Sequence, residues 1–207
     1  MTGHRHLAAA WQAQSLLLAY PDARLRERTP LLRDVSARLP ASIGAPLLSF
    51  LDHADATGPE ALAADYVATF DHRRRCCLYL TYYAHGDTRK RGLALLRLKR
   101  TYAAAGLRLT DEELPDHLCV VLEYAATAGA EAGRAVLGEH RAGLELLRLA
   151  LHDAGSPWAE VLESVSATLP PLAGDERQAV ARLAAQGPPG EHVGIEPYTG
   201  MPLGGLR

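Results

Sequence analysis

Residues 57–70 read TGPEALAADYVATF. This stretch decides the fold class because a signal for the start of a helix is followed by apolar residues at helical spacing. Thr57 and Glu60 have the Thr-x-x-Glu spacing of a capping box, in which side chains satisfy free backbone N–H groups of the first turn. The apolar positions that follow share one face at intervals of four residues: Leu62, Tyr66 and Phe70. The stretch therefore predicts an amphipathic α-helix with an aromatic side.

Similar signals for the starts and ends of helices occur further towards the C-terminus. An apolar stripe from Leu78 to Tyr83 stops at Gly86, Asp87 has the position of a helix cap, and Gly106 ends the next stripe. Thr110 and Glu113 form a second Thr-x-x-Glu box. Further helices are predicted over residues 7–20, 30–39, 45–56 and 175–187, and at stripes beginning at Leu118, Leu144 and Trp158. Strand-like alternation is absent, so the chain is predicted to be all-α, with about eight to ten helices.

The composition is typical of one globular domain. The chain has 207 residues, 48% of them hydrophobic and 22% charged, with a formal net charge of -2. This length is enough for one core to bury most of its apolar surface. The last residues, 187–207, read GPPGEHVGIEPYTGMPLGGLR and show no periodicity. We therefore predict a single compact helical domain over residues 1–187 and a flexible, disordered Gly/Pro-rich tail over residues 188–207.

The sequence also predicts a cytoplasmic location without membrane insertion. The polar N-terminus, with His4, Arg5 and His6, does not fit a signal peptide, and no apolar run approaches the ~20 residues that cross a bilayer. The three cysteines are an odd number and suit a reducing compartment. No paired metal-ligand spacing occurs around them, so we expect buried structural thiols and no metal.

No phosphate loop, nucleophile elbow or zinc-protease motif appears, so no enzyme activity is predicted. The strongest charge feature is a basic ridge, which contains nine of the 22 Lys and Arg residues and one acidic residue, Asp87. Its members are Arg73, Arg74, Arg75, Arg89, Lys90, Arg91, Arg97, Lys99 and Arg100. Two interpretations stay open: a solvated face, or a site for an anionic cofactor, a nucleic acid or an acidic partner surface.

Three segments carry a resemblance to a known family: YVATFD at residues 66–71, RCCLYLTYYAHGDTRKRG at residues 75–92 and ELPDHL at residues 113–118. With Gly106-Leu107 and Leu122-Glu123, they make the chain similar to the NarJ, or delta-subunit, family of nitrate reductase assembly chaperones. That family belongs to the TorD-like helical chaperones. The likeness is close over residues 59–125, and the combination of GDTRKRG with ELPDHL is its specific signal.

The resemblance implies a chaperone that binds the N-terminal segment of the catalytic (alpha) subunit of nitrate reductase. It implies that this client stays competent to receive molybdopterin guanine dinucleotide, with no cofactor bound stably by the chaperone. The expected partners are the catalytic subunit and cofactor-insertion proteins, and neither nucleic acid nor membrane insertion is expected.

A client segment that folds as an amphipathic helix needs an apolar groove with a charged rim. The predicted groove is built from four apolar residues: Tyr66, Phe70, Leu78 and Tyr82. The predicted rims are Arg75, Arg89 and Arg91 on one side and Glu113, Asp116 and Glu123 on the other. Asp87, Pro115 and His117 complete the predicted client-binding set.

Two hypotheses concern these rims. The first is that Arg89 and Arg91 face solvent and meet an anionic group of the client or its cofactor. The second places Pro115 and Asp116 in the first turn of a helix, with surplus carboxylates that receive a cationic end of the client.

The alternative is an all-helical nucleic-acid-binding regulator that uses the basic ridge at residues 73–100. The sequence pI near 6.5 and the lack of a recognition-helix pattern argue against this alternative.

Overall fold

The computed structural model describes residues 2–110 and 113–186 of the chain. Within these ranges it contains eleven α-helices and no β-strand, which confirms the prediction of an all-α fold. The helices are α1 (Thr2–Leu18), α2 (Ala23–Arg38), α3 (Ala41–Thr57), α4 (Pro59–Tyr66), α5 (Leu80–His85), α6 (Arg89–Ala104), α7 (Leu118–Ala128), α8 (Ala130–Glu139), α9 (Arg141–Asp153), α10 (Trp158–Ala167) and α11 (Gly174–Gln186). A π-helical turn, Val67–Asp71, follows α4, and a 3-10 turn, Arg74–Cys76, precedes α5.

Two fully buried tryptophans lie in one hydrophobic core. Trp11 belongs to α1, which packs against α2, α7 and α10, and Trp158 belongs to α10, which also packs against α3 and α9. Helices from both halves of the chain therefore share this core. The single compact helical domain predicted from composition is confirmed for the described residues.

Buried hydrogen bonds join α1 and α3 to α10 and the residues after it. The indole Nε1 of Trp11 donates to Thr168 Oγ1 at 2.9 Å, and Gln14 Nε2 donates to Ser164 Oγ at 2.8 Å. The Ser164 hydroxyl in turn donates to the carbonyl of Ile43 at 2.8 Å. Because unpaired buried polar groups are costly, these bonds favour one packing arrangement over other arrangements of similar apolar contact.

The capping box predicted at Thr57 is wrong. Helix α3 continues through Thr57, whose hydroxyl is 3.1 Å from His53 Nε2, and the N-cap of α4 is Gly58. Gly58 has a φ of 80°, a conformation that a side chain at this position would strain. The chain therefore reverses at a glycine with no side-chain cap, although the position of helix α4 itself was predicted correctly.

The cap predicted at Asp87 is also wrong by one residue. Thr88 is the N-cap of α6 and makes no side-chain cap hydrogen bond, while the Asp87 carboxylate accepts from Arg91 at 3.0 Å. An arginine four residues on is within reach of that carboxylate. Asp87 thus stabilises the start of α6 through a side-chain pair instead of a backbone cap.

The helices before residue 57 begin earlier than predicted, at Thr2, Ala23 and Ala41 instead of residues 7, 30 and 45. Pro30 lies inside α2 and Pro46 lies inside α3. Helix α2 begins after Asp22, whose carboxylate accepts from the backbone N–H groups of Arg24 and Leu25. That Asp cap was the missed signal.

Helix α8 was not predicted at all, and it explains why there are more helices than expected. Its sequence, AEAGRAVLGE, has few large apolar residues and contains two glycines, which are poor helix formers. It is held by packing against α7 and α1. The predicted tail at residues 188–207 lies outside the described residues, and the domain boundary at residue 187 stays a prediction.

Candidate functional site

Two of the three segments that carry the resemblance, residues 75–92 and residues 113–118, meet in space. The backbone N–H of Leu80 donates to the carbonyl of Asp116 at 3.0 Å, and that of Leu118 donates to the carbonyl of Leu78 at 2.9 Å. These bonds form an isolated antiparallel bridge centred on the pair of Tyr79 and His117. The turn before α7 is therefore fixed to the strand-like entry of α5.

Asp116 lies at the centre of this junction and has no exposed surface. Its Oδ2 accepts from the backbone N–H and the hydroxyl of Thr81, and lies 3.5 Å from Nη2 of Arg91. The carboxylate is thus engaged inside the protein. The hypothesis that Asp116 offers a surface charge to the client is wrong, because the bridge between the two segments encloses its side chain.

Arg91 is held by four groups of the same junction. It donates to Asp87 Oδ1 at 3.0 Å and to Thr81 Oγ1 at 3.3 Å, and its guanidinium lies 5.5 Å from the centre of the Tyr79 ring. The fourth group is the buried carboxylate of Asp116, and the Arg91 side chain is only 17% exposed. The hypothesis that Arg91 faces solvent without internal pairs is therefore wrong, whereas Arg89 is exposed as expected.

Tyr79 connects this junction to Glu113. Its hydroxyl donates to Glu113 Oε1 at 3.1 Å, and burial followed by the nearby negative charge of Glu113 raises the pKa of Tyr79 to about 12. The Tyr79 ring also meets the His117 ring edge to face, with centroids 5.2 Å apart. Glu113 is consequently oriented by an aromatic residue that stays protonated at neutral pH.

Helix α7 begins at Leu118, so Pro115 does not lie in its first turn as predicted. The N-cap is His117, whose Nδ1 accepts from the backbone N–H of Cys119 at 3.3 Å. The carbonyl of Pro115 instead accepts the hydroxyl of Tyr102 at 2.7 Å. Desolvation by burial lowers the pKa of His117, against the opposite influence of the neighbouring carboxylates. The neutral ring can therefore act as an acceptor cap.

A cleft of about 210 Å³ lies beside the junction, between α7 and the segment that follows α6. Its apolar lining is Tyr102, Leu107, Leu109, Val120 and Tyr124. Its polar lining is Arg108, Thr110, Glu113, Glu123 and Thr127. Apolar walls with a few charged groups are the usual composition of a binding pocket, so this cleft is the candidate functional site.

The lining from α7 follows a helical repeat that the sequence interpretation did not use. Val120, Glu123, Tyr124 and Thr127 recur at i, i+3, i+4 and i+7, so they share one face. The face assigned to the core from the sequence was the stripe that starts at Leu118, which is buried as predicted. A second partly apolar face on the same helix was the signal that could have located the cleft.

Two of the three aromatic residues predicted to line a groove, Tyr66 and Phe70, are in the core instead. The ring of Tyr66 is 4.7 Å from that of Phe70 and 5.4 Å from that of Trp158, and its hydroxyl donates to the carbonyl of Leu18 at 3.1 Å. Leu78 is also buried. The structure therefore brings Glu113 and Glu123 together at one cleft, but it does not place Tyr66, Phe70 and Leu78 at its surface.

Tyr82 and Arg75 lie away from the residues that line this cleft. Tyr82 is half-buried, with its ring 6.2 Å from the ring of Tyr83. Arg75 is exposed, and its carbonyl accepts from the Tyr83 hydroxyl at 2.9 Å. The other members of the basic ridge, apart from Arg91, are exposed as well: Arg73, Arg74, Arg89, Lys90, Arg97, Lys99 and Arg100.

The cysteines are all free, with Cys76 buried and Cys77 and Cys119 half-buried. Burial raises the pKa of each of these thiols, so they are protonated at neutral pH. In the described ranges, no group of three or more His, Cys, Asp or Glu residues could hold a metal ion. None of the described helices combines the length and the apolar character needed to span a bilayer.

Comparison with known proteins finds a match to the family model described as nitrate reductase delta subunit, over residues 36–163. This range contains the junction and the residues that line the cleft. Residues 66–118, which carried the resemblance in the sequence, lie entirely inside it.

Similarity to individual proteins extends over more than half of the chain. The chain is 37% identical over 163 residues to the probable nitrate reductase molybdenum cofactor assembly chaperone NarJ of Bacillus subtilis, which covers 77% of this chain and 87% of the relative. It is 40% identical over 159 residues to the nitrate reductase-like protein NarX of Mycobacterium tuberculosis, covering 76% of this chain but 24% of that longer protein. It is 37% identical over 115 residues to the assembly chaperone NarJ of Escherichia coli, covering 54% and 49%.

Proposed function

The chain belongs to the nitrate reductase delta subunit family, and on that premise we propose that it is a system-specific chaperone for nitrate reductase assembly. The chaperone binds the N-terminal segment of the catalytic subunit and keeps that subunit competent to receive its molybdenum cofactor. The chain is not an enzyme, since relatives over most of its length are named as assembly chaperones. The site of action is the cytoplasm, where the three free thiols stay reduced.

The cleft along α7 is the observation that carries this proposal. Its apolar lining offers space for the side chains of one face of a short helix, and Glu113 and Glu123 supply negative charge. A client segment that presents apolar residues next to a Lys or Arg matches this lining. Arg108 is the one basic residue of the described lining, so the two carboxylates leave a net negative charge that favours an amphipathic, cationic segment over an acidic one.

The junction beneath the cleft positions one of its acidic groups. Tyr79 orients Glu113, and the Arg91 to Asp116 contact fixes the turn that carries Glu113 and His117. We therefore interpret Asp87, Arg91, Pro115, Asp116 and His117 as positioning residues instead of client contacts. Tyr66, Phe70 and Leu78 belong to the core that supports the site.

Binding of this kind is reversible, as an assembly chaperone requires. A segment that orders only when bound loses ~2 to 5 kcal/mol of its gross interaction energy to ordering, so it can leave when the cofactor is in place. The molybdopterin guanine dinucleotide belongs to the client in this scheme. No residue of this chain is proposed to hold it.

Titration calorimetry with a peptide of the N-terminal segment of the catalytic subunit tests the proposal. The unmodified chain should bind the peptide, and Leu109→Asp should remove binding because it charges the apolar wall of the cleft. Leu25→Asp is the matched control, because Leu25 is also half-buried and lines a separate cleft of about 280 Å³ at α2. Equal loss of affinity in both variants, or no binding by the unmodified chain, contradicts the proposed site.

A further inference from the structure

Helix α6 exposes two leucines that its packing does not use. Leu93 is 69% exposed and Leu96 is 44% exposed, and a separation of three residues places them side by side on one face. The opposite face carries Leu98 and Tyr102 into the core. The outward leucines are therefore available to a partner without any change in the fold.

Cationic side chains surround these leucines. The exposed cations of α6 are Arg89, Lys90, Arg97, Lys99 and Arg100, and the helix contains no acidic residue. At 100° per residue, Arg89 and Arg100 lie on the same outward face as the leucines, and the other three flank it. Within the described part of the chain, none of the five is joined to a carboxylate by a salt bridge.

The charge of the chain is distributed unevenly, with positive charge concentrated in the segment that contains α6. The basic ridge holds nine of the 22 basic residues and one of the 24 acidic residues, so it carries a formal charge of +8. The rest of the chain then carries -10. Such a distribution turns α6 towards an anionic surface and keeps the remainder of the molecule away from it.

We propose that the outward face of α6 docks on a bilayer surface that contains anionic phospholipids. Leu93 and Leu96 enter the boundary between headgroups and acyl chains, and the flanking Lys and Arg side chains meet the lipid phosphates. Among the described helices, α6 packs mainly on α5, so it lies at the periphery of the fold. A nucleic acid would satisfy the cations but would leave both leucines against phosphate or water.

Co-sedimentation of the full chain with lipid vesicles tests this proposal. The chain should bind vesicles of equal parts phosphatidylcholine and phosphatidylglycerol, and should not bind vesicles of phosphatidylcholine alone. Leu93→Ser with Leu96→Ser should weaken binding at least ~tenfold, because two leucines no longer leave water. The matched control is Leu31→Ser with Leu149→Ser, whose leucines are 64% and 41% exposed on other helices and should not affect binding.

A charge series completes the test. Arg97→Glu with Arg100→Glu should abolish vesicle binding, whereas Arg24→Glu with Arg28→Glu on the exposed part of α2 should weaken it far less. Circular dichroism of each variant confirms that the fold is kept. Three results overturn the proposal. The first is equal binding to both vesicle types, and the second is vesicle binding that Leu93→Ser with Leu96→Ser leaves unchanged. The third is competition by an oligonucleotide or a glutamate-rich peptide that is equally strong with and without these two leucine substitutions.

Discussion

The Nη2 atom of Arg91 lies 3.5 Å from Oδ2 of Asp116, and this contact joins the start of α6 to the turn before α7. Asp116 is fully buried, whereas the Arg91 side chain is partly exposed and also forms a salt bridge with Asp87. Two of the three segments that carried the family resemblance, residues 75–92 and residues 113–118, are therefore one structural unit. Its effect is to hold Glu113 at the edge of the cleft through Tyr79.

Removal of the buried charge should destabilise this unit. We expect Asp116→Ala to lower the free energy of unfolding by about 3 kcal/mol, because it leaves Arg91 and two donors of Thr81 without their acceptor. Urea unfolding measures the change. Asp34→Ala is the control, since Asp34 pairs with Arg38 on the surface, where a pair contributes about 0 to 1 kcal/mol. Similar losses in both variants would contradict the structural role of Asp116.

The glycines of α8 should respond in opposite directions to the same substitution. A Cβ on Gly133 would lie 2.7 Å from Trp11 Cζ3 and 2.9 Å from the Cα of Ala125, so Gly133→Ala should cost about 1 to 3 kcal/mol. A Cβ on Gly138 meets no described atom within 4 Å, so Gly138→Ala should gain up to about 1 kcal/mol of helix propensity. Thermal unfolding of the two variants checks this, and stabilisation by both would show that α8 packs less closely on α1 and α7.

Acidification should weaken the fold through His117. Burial lowers the pKa of His117 in the folded chain, so the unfolded chain binds more protons and the free energy of unfolding falls as the pH drops below about 6.5. Protonation also removes the Nδ1 acceptor that caps α7. The pKa of His140 is lowered by burial too, and this residue adds to the same slope.

His117→Asn isolates that contribution, because Asn is a good N-cap that does not titrate. We expect a smaller loss of stability between about pH 7 and pH 5 in this variant, measured by urea unfolding at each pH. The control, His72→Asn, makes the same substitution at an exposed histidine outside the α7 cap, and the slopes of the two variants are compared. An unaltered slope in His117→Asn would mean that His140 and other groups account for the whole effect.

The sequence predicted helices well where apolar stripes end at glycines with positive φ. Gly86, Gly106 and Gly155 follow the ends of α5, α6 and α9 as expected. Capping was predicted less well, because Thr57 and Asp87 have the right residue type but bind other side chains. Local spacing alone does not decide between these competing hydrogen bonds.

The site was predicted only in part, for a reason that involves long-range contacts. Glu113 and Glu123 were named from the sequence, and both line the cleft. Tyr66 and Phe70 were expected there because an aromatic stripe can line a groove, yet both rings pack against Trp158, which is far away in the sequence. Such a long-range contact cannot be predicted from the local sequence pattern. The face of α7 that includes Val120, in contrast, is visible in that pattern.

Charge reversal at the cleft gives the sharpest test of the proposed client site. Glu123 is exposed, and within the described ranges its carboxylate makes no hydrogen bond or salt bridge. Glu113 is less suitable, because its carboxylate is bonded to the Tyr79 hydroxyl and the Leu114 N–H. We therefore expect Glu123→Lys to alter the free energy of unfolding by less than about 0.5 kcal/mol. The same substitution should weaken the affinity for the client peptide on the order of tenfold.

Salt and a matched reversal distinguish a charge contact from a general effect of net charge. The weakening by Glu123→Lys should shrink at high ionic strength, because the partner charge on the peptide is then screened. Glu139→Lys makes the same change in net charge on the exposed surface of α8, away from the cleft, and should leave the affinity nearly unchanged at any salt concentration. Titration calorimetry of both variants at low and high salt provides the four affinities. If Glu123→Lys and Glu139→Lys weaken binding equally, the acidic rim of the cleft does not contact the client, and the client must bind another surface of the helical domain.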